Sequence, residues 1–294
     1  MVRRKLYLSQ PSLPFTSPLI YRPDGNRLAL MVSQGSSTDL WIYDLLRGTK
    51  TRLTNGLEDA YPVWSPDGRF MVFQAVGGIF WRADGAGKPQ PLIHSNRHPL
   101  PTSFTRDATR LVFSEMTPGT GAEIRTVPVE CGSGQMRAGQ PEVFLKTADV
   151  LAFPAFSPDG RWLAYGDAPA GSYEVYVRAF PDKGIQVQIS NAGGTMPVWS
   201  PNGHELFYRT EDHRIMVVNY TVKGESFVPD KPRVWFGKQL ANVGLAMNFD
   251  LAPDGKRFVV LMPAVSPEPR AQNHVMLVVN FLDEVRRRVA PQGK

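Results

Sequence analysis

Trp64-Ser65-Pro66-Asp67-Gly68 runs straight into an apolar stretch, Arg69–Gln74, and the same five-residue frame returns along the chain. Tyr21-Arg22-Pro23-Asp24-Gly25, Phe156-Ser157-Pro158-Asp159-Gly160, Trp199-Ser200-Pro201-Asn202-Gly203 and Leu251-Ala252-Pro253-Asp254-Gly255 repeat it. Phe104-Thr105-Arg106-Asp107-Ala108 is a degenerate sixth copy. The Asp/Asn position falls at 24, 67, 107, 159, 202 and 254, at intervals of 43, 40, 52, 43 and 52 residues. Self-similarity at such a period marks a repeat architecture. In each copy Pro presets φ for a tight turn, Asp accepts from a nearby amide, and Gly supplies a positive φ. Asn202 fills the Asp position, which a general acid would not allow, so the repeated acids read as structural.

Each turn leads into an apolar strand and then into a β-branched and aromatic one. The latter are Leu40–Leu45, Gly78–Ala83, Glu123–Val129, Glu174–Phe180, Arg214–Tyr220 and His274–Phe281. A shorter fourth strand, such as Lys50–Thr54 or Arg233–Phe236, closes most units. The pattern predicts an all-β fold, a six-bladed β-propeller of four-stranded antiparallel blades. The sixth unit stops at its third strand, and an orphan strand, Lys5–Gln10, precedes the first unit. Pairing the two closes the ring and removes an open edge. The expectation is therefore one domain, 1–294, with Leu282, Val285 and Val289 forming the stripe of a short helix at about 282–289. Trp64, Phe104, Phe156 and Trp199 are expected to pack between neighbouring blades.

Composition agrees. The 294 residues include 26 Gly and 26 Pro, about 18% together against roughly 12% in average usage, spread as turn punctuation that excludes long helices. A single cysteine, Cys131, excludes a disulfide framework and a Cys-based zinc site. Of the net charge of +6, residues 1–5 hold +3 and residues 283–294 hold +2, so the body is nearly neutral and no nucleic-acid surface is expected. Apolar runs such as Phe258–Met262 and Val275–Val279 are strand-sized, too short to span a membrane. No apolar region follows Arg3-Arg4-Lys5 as a signal peptide would require, so the chain as written is expected in the cytoplasm, as a monomer, or outside the cytoplasm if cut from a membrane-anchored or secreted parent.

Catalytic signatures are missing. There is no G-x-S-x-G, no phosphate-binding glycine loop and no H-E-x-x-H, since His204-Glu205 continues as Leu206-Phe207-Tyr208. The four residues before each motif aromatic approach the central channel: 17–20, 60–63, 100–103, 152–155, 195–198 and 247–250. Asp250 is the only carboxylate among them, so no metal centre, no cofactor and no catalytic residue are expected. Three positions before each aromatic stand Pro18, Tyr61, Pro101, Phe153, Met196 and Asn248, an apolar ring with little charge. The loops that feed it, His94–His98 among them, gather on one face. Tyr61, His98, Phe153, Met196, Asn248 and Asp250 are thus the candidate contacts for a protein, peptide or small ligand. The leading expectation is a non-enzymatic binding or sensing module. The competing ones are a channel-based divalent-metal hydrolase of lactonase or esterase type and an accessory propeller of a peptidase.

Pro62-Val63-Trp64-Ser65-Pro66-Asp67-Gly68 followed by Phe73, with Leu40-Trp41-Ile42-Tyr43-Asp44-Leu45 and Thr51-Arg52-Leu53-Thr54, resembles the TolB-type, WD-repeat-like propeller repeat. Phe249-Asp250, Asp254-Gly255, Arg257-Phe258 and Val279-Asn280-Phe281 resemble the propeller half of bacterial serine/threonine kinases that carry a TolB-like propeller. The resemblance spans essentially the whole chain and implies the fold. The same repeat occurs in periplasmic TolB and in prolyl-oligopeptidase-type peptidases. No kinase motif is present.

Overall fold

The computed structural model describes residues 6–8, 15–34, 37–55, 58–84, 86–117, 121–169, 171–181, 184–244, 246–263 and 274–279. These residues form strands, turns and loops, with no helix among them, and hence none long and apolar enough to cross a membrane. The helix expected at 282–289 lies outside the described residues.

The strands gather into six antiparallel sheets that follow the repeat. Sheet 1 is Phe15–Tyr21, Arg27–Gln34, Ser37–Asp44 and Thr49–Arg52. Sheet 2 is Ala60–Trp64, Phe70–Ala75, Gly78–Ala83 and Ala86–His94. Sheet 3 holds Leu100–Phe104, Arg110–Thr117, Gly121–Cys131 and Glu142–Thr147, and sheet 4 holds Leu151–Phe156, Trp162–Asp167, Glu174–Ala179 and Val187–Gln188. Sheet 5 is Thr195–Trp199, Glu205–Arg209, Ile215–Lys223 and Arg233–Phe236. Sheet 6 is Phe249–Leu251, Arg257–Met262 and His274–Val279, joined by Leu6–Leu8 from the other end of the chain. Its register is Leu6 opposite Leu277, Tyr7 opposite Met276 and Leu8 opposite Val275.

The two 52-residue intervals have a simple cause. In sheets 3 and 5 the long third strand runs on past the blade and turns back as an extra strand, Met136–Ala138 or Ser226–Pro229. Those hairpins give sheets 3 and 5 their fifth strands.

The repeated turn behaves as its chemistry requires. The fourth-residue N–H donates to the first-residue carbonyl at Gly25, Gly68, Ala108, Gly160, Gly203 and Gly255, over 2.8–3.0 Å. The side chain of Asp24, Asp67, Asp107, Asp159, Asn202 or Asp254 accepts from the amide two residues on. Asn202 does so at 3.0 Å, just as the acids do. Ala108 holds φ at 60°, where four of the other copies lie at 66–70° and the fifth at 72° with glycine.

Burial takes place between sheets. Trp64 packs with Ala29 and Leu40 of sheet 1, Phe104 with Phe70 and Val72 of sheet 2, and Phe156 with Val112 and Ile124 of sheet 3. Trp199 packs with Trp162 and Val175 of sheet 4, and Leu251 with Phe207 and Ile215 of sheet 5. Tyr21 packs with Val259 and Leu261 of sheet 6. The motif aromatic thus enters the groove against the preceding sheet each time, where full burial of such a side chain contributes about 1.5–3 kcal/mol.

Candidate functional site

The innermost strand of sheets 1 to 5 does not run smoothly, whereas that of sheet 6 pairs in unbroken register. Its register against the second strand slips between Thr16 and Leu19, Ala60 and Val63, Pro101 and Ser103, Ala152 and Ala155, and Thr195 and Val198. In three of these bulges the first extra residue is a bulky side chain in the left-handed region: Tyr61 at φ 51°, Phe153 at 52° and Met196 at 56°. Each costs of order 1–3 kcal/mol and persists because the surrounding sheet over-determines it. Each is followed by proline (Pro62, Pro154, Pro197), whose missing N–H suits a position outside the ladder. His98, before Pro99, lies at φ 50° in the connector from sheet 2 to sheet 3.

The bulges turn several predicted side chains inward. Met196 is fully buried and Phe153 nearly so, both in the apolar cluster that also holds Phe249. Asn248 is fully buried; its Nδ2 donates to the Ala241 carbonyl at 2.8 Å, and its Oδ1 has no partner among the described residues. Tyr61 is half-buried, and burial pushes its phenol up. His98 is exposed. Phe153, Met196 and the Asn248–Phe249 pair therefore meet along sheets 4 to 6, while Tyr61 and His98 stand apart on sheet 2 and the connector that follows it.

Asp250 faces the neighbouring sheet. Its Oδ2 accepts from the Tyr21 N–H of sheet 1 at 2.7 Å, and its Oδ1 accepts from the Leu251 N–H at 2.8 Å. Burial drives its pKa up to about 7, opposed by those two amides. Ser103 does the same job between sheets 3 and 4, accepting from the Phe156 N–H at 3.2 Å. Asp250 is thus a clasp between sheets 6 and 1.

A polar tier that the inner-strand alignment missed lies one strand outward, where the second strands end. Gln74, Ser114, Asp167 and Arg209 sit there opposite Ala60, Leu100, Leu151 and Thr195, all under 9% exposed. Burial raises the Asp167 carboxyl, and its Oδ1 has no partner among the described residues. On the same face, between sheets 2 and 3, Glu115 and Glu123 are nearly buried under cations. Glu123 meets Arg125 at 2.9 Å and Lys146 at 3.1 Å, and Arg97 approaches both acids at 3.6–3.9 Å. Burial works to raise Glu123, but Lys146 and Arg125 hold it below the usual carboxylate range. Ser95, Arg97, Glu115 and Arg125 line a cavity of about 350 Å³ beside this cluster.

Among the described residues no three His, Cys, Asp or Glu side chains gather at one point. Both Asp250 oxygens already take backbone donors, an electropositive setting that does not fit a cation.

These features are those of a TolB-like β-propeller. Among solved structures, oligogalacturonate lyase in complex with manganese superposes with a TM-score of 0.65 at 12% identity over 93% of this chain and 92% of that one. A candidate TolB from Agrobacterium tumefaciens gives 0.60 at 15% identity over 92% of each chain. One of two prolyl endopeptidases compared in a study of inter-domain dynamics gives 0.53 at 13% identity over 91% of this chain and 42% of that one. In sequence, the chain is 28% identical over 167 residues to an uncharacterized peptidase, YuxL, of Bacillus subtilis strain 168. That alignment takes in 53% of this chain and 23% of the relative, so the chain spans about a quarter of the relative's length. No protein-family model matches.

The comparisons correct one expectation. A chain outside enzymology was expected because no catalytic signature could be found. The relative is named a peptidase, and a lyase and a prolyl endopeptidase are among the structural neighbours, so the expectation of a non-enzymatic chain does not stand. Signature motifs report on a catalytic domain, and a propeller repeat carries none wherever it is joined to one. The resemblance to kinase-linked propellers is not carried by these matches.

Proposed function

We propose that this chain is the propeller of a peptidase-type enzyme: a single domain, 1–294, whose six blades form a closed ring beside a catalytic unit supplied by residues outside it. The observation that carries this is the alignment with a relative named a peptidase, of which it covers 23%. Six sheets, an apolar core between each successive pair and a sixth core joining sheets 6 and 1 support the ring. So do the Leu6–Leu8 pairing and the Asp250 clasp. Bulges that drive Phe153 and Met196 into the interior narrow the centre of the ring. In this reading the propeller admits extended peptides and holds folded proteins back. Tyr61 and His98 are its contacts on the loop-rich face, Asp250 keeps the seam shut, and Asn248 lines the inner wall.

The test is to purify the native gene product from its source cells and assay it against a panel of quenched fluorescent peptides. Peptide hydrolysis that co-purifies with this propeller through successive columns, and that fails on folded protein substrates, is expected. A homogeneous preparation that cleaves no peptide overturns the proposal.

A further inference from the structure

Arg209 ends the strand Glu205–Arg209, opposite Thr195 on the inner strand and Ile215 on the third. It is 4% exposed. Its Nη2 donates to the Gly244 carbonyl at 3.1 Å, while Nε and Nη1 are buried without a partner among the described residues. The acids close to it in sequence are engaged elsewhere: Asp212 with Arg214, Glu205 with Arg233, and Glu211 with the Ser172 hydroxyl. Burial pulls the Arg209 pKa down to about 10, which leaves it charged near neutrality. Its charge in turn helps burial to depress the pKa of His213.

A buried cation with no counter-charge among the described residues is strongly disfavoured, and an apolar residue of similar volume would serve packing better. Two more buried polar atoms are unpartnered nearby. Thr195 Oγ1 lies across the strand pair, and Asn248 Oδ1 belongs to a side chain that holds, at Ala241, the same connector that Arg209 holds at Gly244. The three side chains thus offer a guanidinium and a hydroxyl as donors and an amide oxygen as acceptor.

We propose that Arg209 is the counter-charge for a ligand carboxylate, that of a peptide C terminus. Thr195 supplies a second donor, Asn248 Oδ1 accepts the ligand's amide N–H, and the incoming carboxylate replaces the neutral Gly244 carbonyl on the guanidinium. One buried cation matches a monoanion, whereas a phosphate dianion would leave a net negative charge in the interior. Asn248 Oδ1 suits the N–H that a peptide carries beside its terminal carboxylate; a sugar acid, whose hydroxyls also donate, is the competing carboxylate that the titration separates. This inference rests on the Arg209 geometry and stands apart from the enzyme reading.

The experiment is calorimetric titration of the full chain at pH 7 with four probes: N-acetyl-Ala-Ala, its C-terminal amide, galacturonate and acetate. The free-acid dipeptide is expected to bind at least tenfold tighter than the amide and than either simple acid. Arg209→Met should weaken it at least tenfold while leaving Tm unchanged or raised, because a merely structural guanidinium would lower Tm on removal. Arg209→Gln, which keeps a donor for Gly244, should show the same loss. Equal affinity for acid and amide, retained binding in either variant, or a lowered Tm in Arg209→Met overturns the proposal. Tighter binding of galacturonate than of the dipeptide overturns the peptide assignment.

Discussion

The six turns provide a matched pair of substitutions that isolates backbone conformation from packing. Ala108 sits at φ 60° in a position where the other five copies have glycine, and an L-residue in the left-handed region is disfavoured by about 1–2 kcal/mol. Ala108→Gly removes that cost but gives the unfolded chain extra freedom worth about 0.5–1 kcal/mol, for a net gain of roughly 0.5–1 kcal/mol. Gly160, at φ 69°, has nothing within 4 Å of where a Cβ would be placed, so Gly160→Ala loses the same amount with no clash to confuse it. At about 2.1 cal/mol/K per residue, unfolding 294 residues carries roughly 0.6 kcal/mol/K, so each change moves Tm by about 1–2 °C. Scanning calorimetry should therefore show Ala108→Gly raised, Gly160→Ala lowered, and the double variant close to the parent. A lowered Tm for Ala108→Gly, or no change for Gly160→Ala, would falsify the claim that the left-handed backbone at the fourth turn residue sets these costs.

The turn needs the acid as an acceptor, and the ion pair of Asp67 with Arg69 is solvent-exposed, so Asp67→Asn should change thermal unfolding by less than Asp67→Ala, which costs about 1 kcal/mol. Because the folded Asp250 titrates near 7 and an unfolded aspartate near 3.8, the unfolded state binds fewer protons between these values. Stability from this group is complete below about pH 4 and declines as pH rises to 7, by up to about 4 kcal/mol. Asp250→Ser, patterned on Ser103, should flatten that slope in urea titrations at pH 4, 5.5 and 7, and an unchanged slope would remove Asp250 as its source. Deleting residues 1–10 strips Leu6–Leu8 from His274–Val279 and should lower Tm by several degrees, whereas an unaltered transition would refute the strand's structural role.

The fold was legible because its signal is local and repeated. Pro-Asp-Gly dictates a turn wherever it occurs, but the fifth strands of sheets 3 and 5 were not foreseen, since four strands were expected in every unit despite the two 52-residue intervals. The site was far less legible. Left-handed residues are ordinarily sought at glycine or asparagine, and here Tyr61, Phe153 and Met196 occupy them; the usable clue was the proline after each. Arg209 was passed over because channel contacts were sought on inner strands, whereas bulges there bring the ends of the second strands into the same tier. Nothing in a turn-and-strand repeat encodes a chemistry, and so the correction to the non-enzymatic expectation came from the names of a relative and of structural neighbours.

Sheet 6 draws strands from both ends of the chain, and this sets an order of events during synthesis. Leu6 leaves the ribosome long before its partner Leu277, so the pair closes a loop that takes in all the strands between them. Sheets 1 to 5 can each condense as their residues emerge, at low contact order, while this final pairing is nonlocal and slow. Until then Leu6–Leu8 and the second strand of sheet 6, Arg257–Met262, both lack the strand that joins them. Translation pausing or truncation near residue 270 would therefore strand an intermediate whose sixth sheet ends on the unpaired edge of Arg257–Met262, the species a chaperone would be expected to meet.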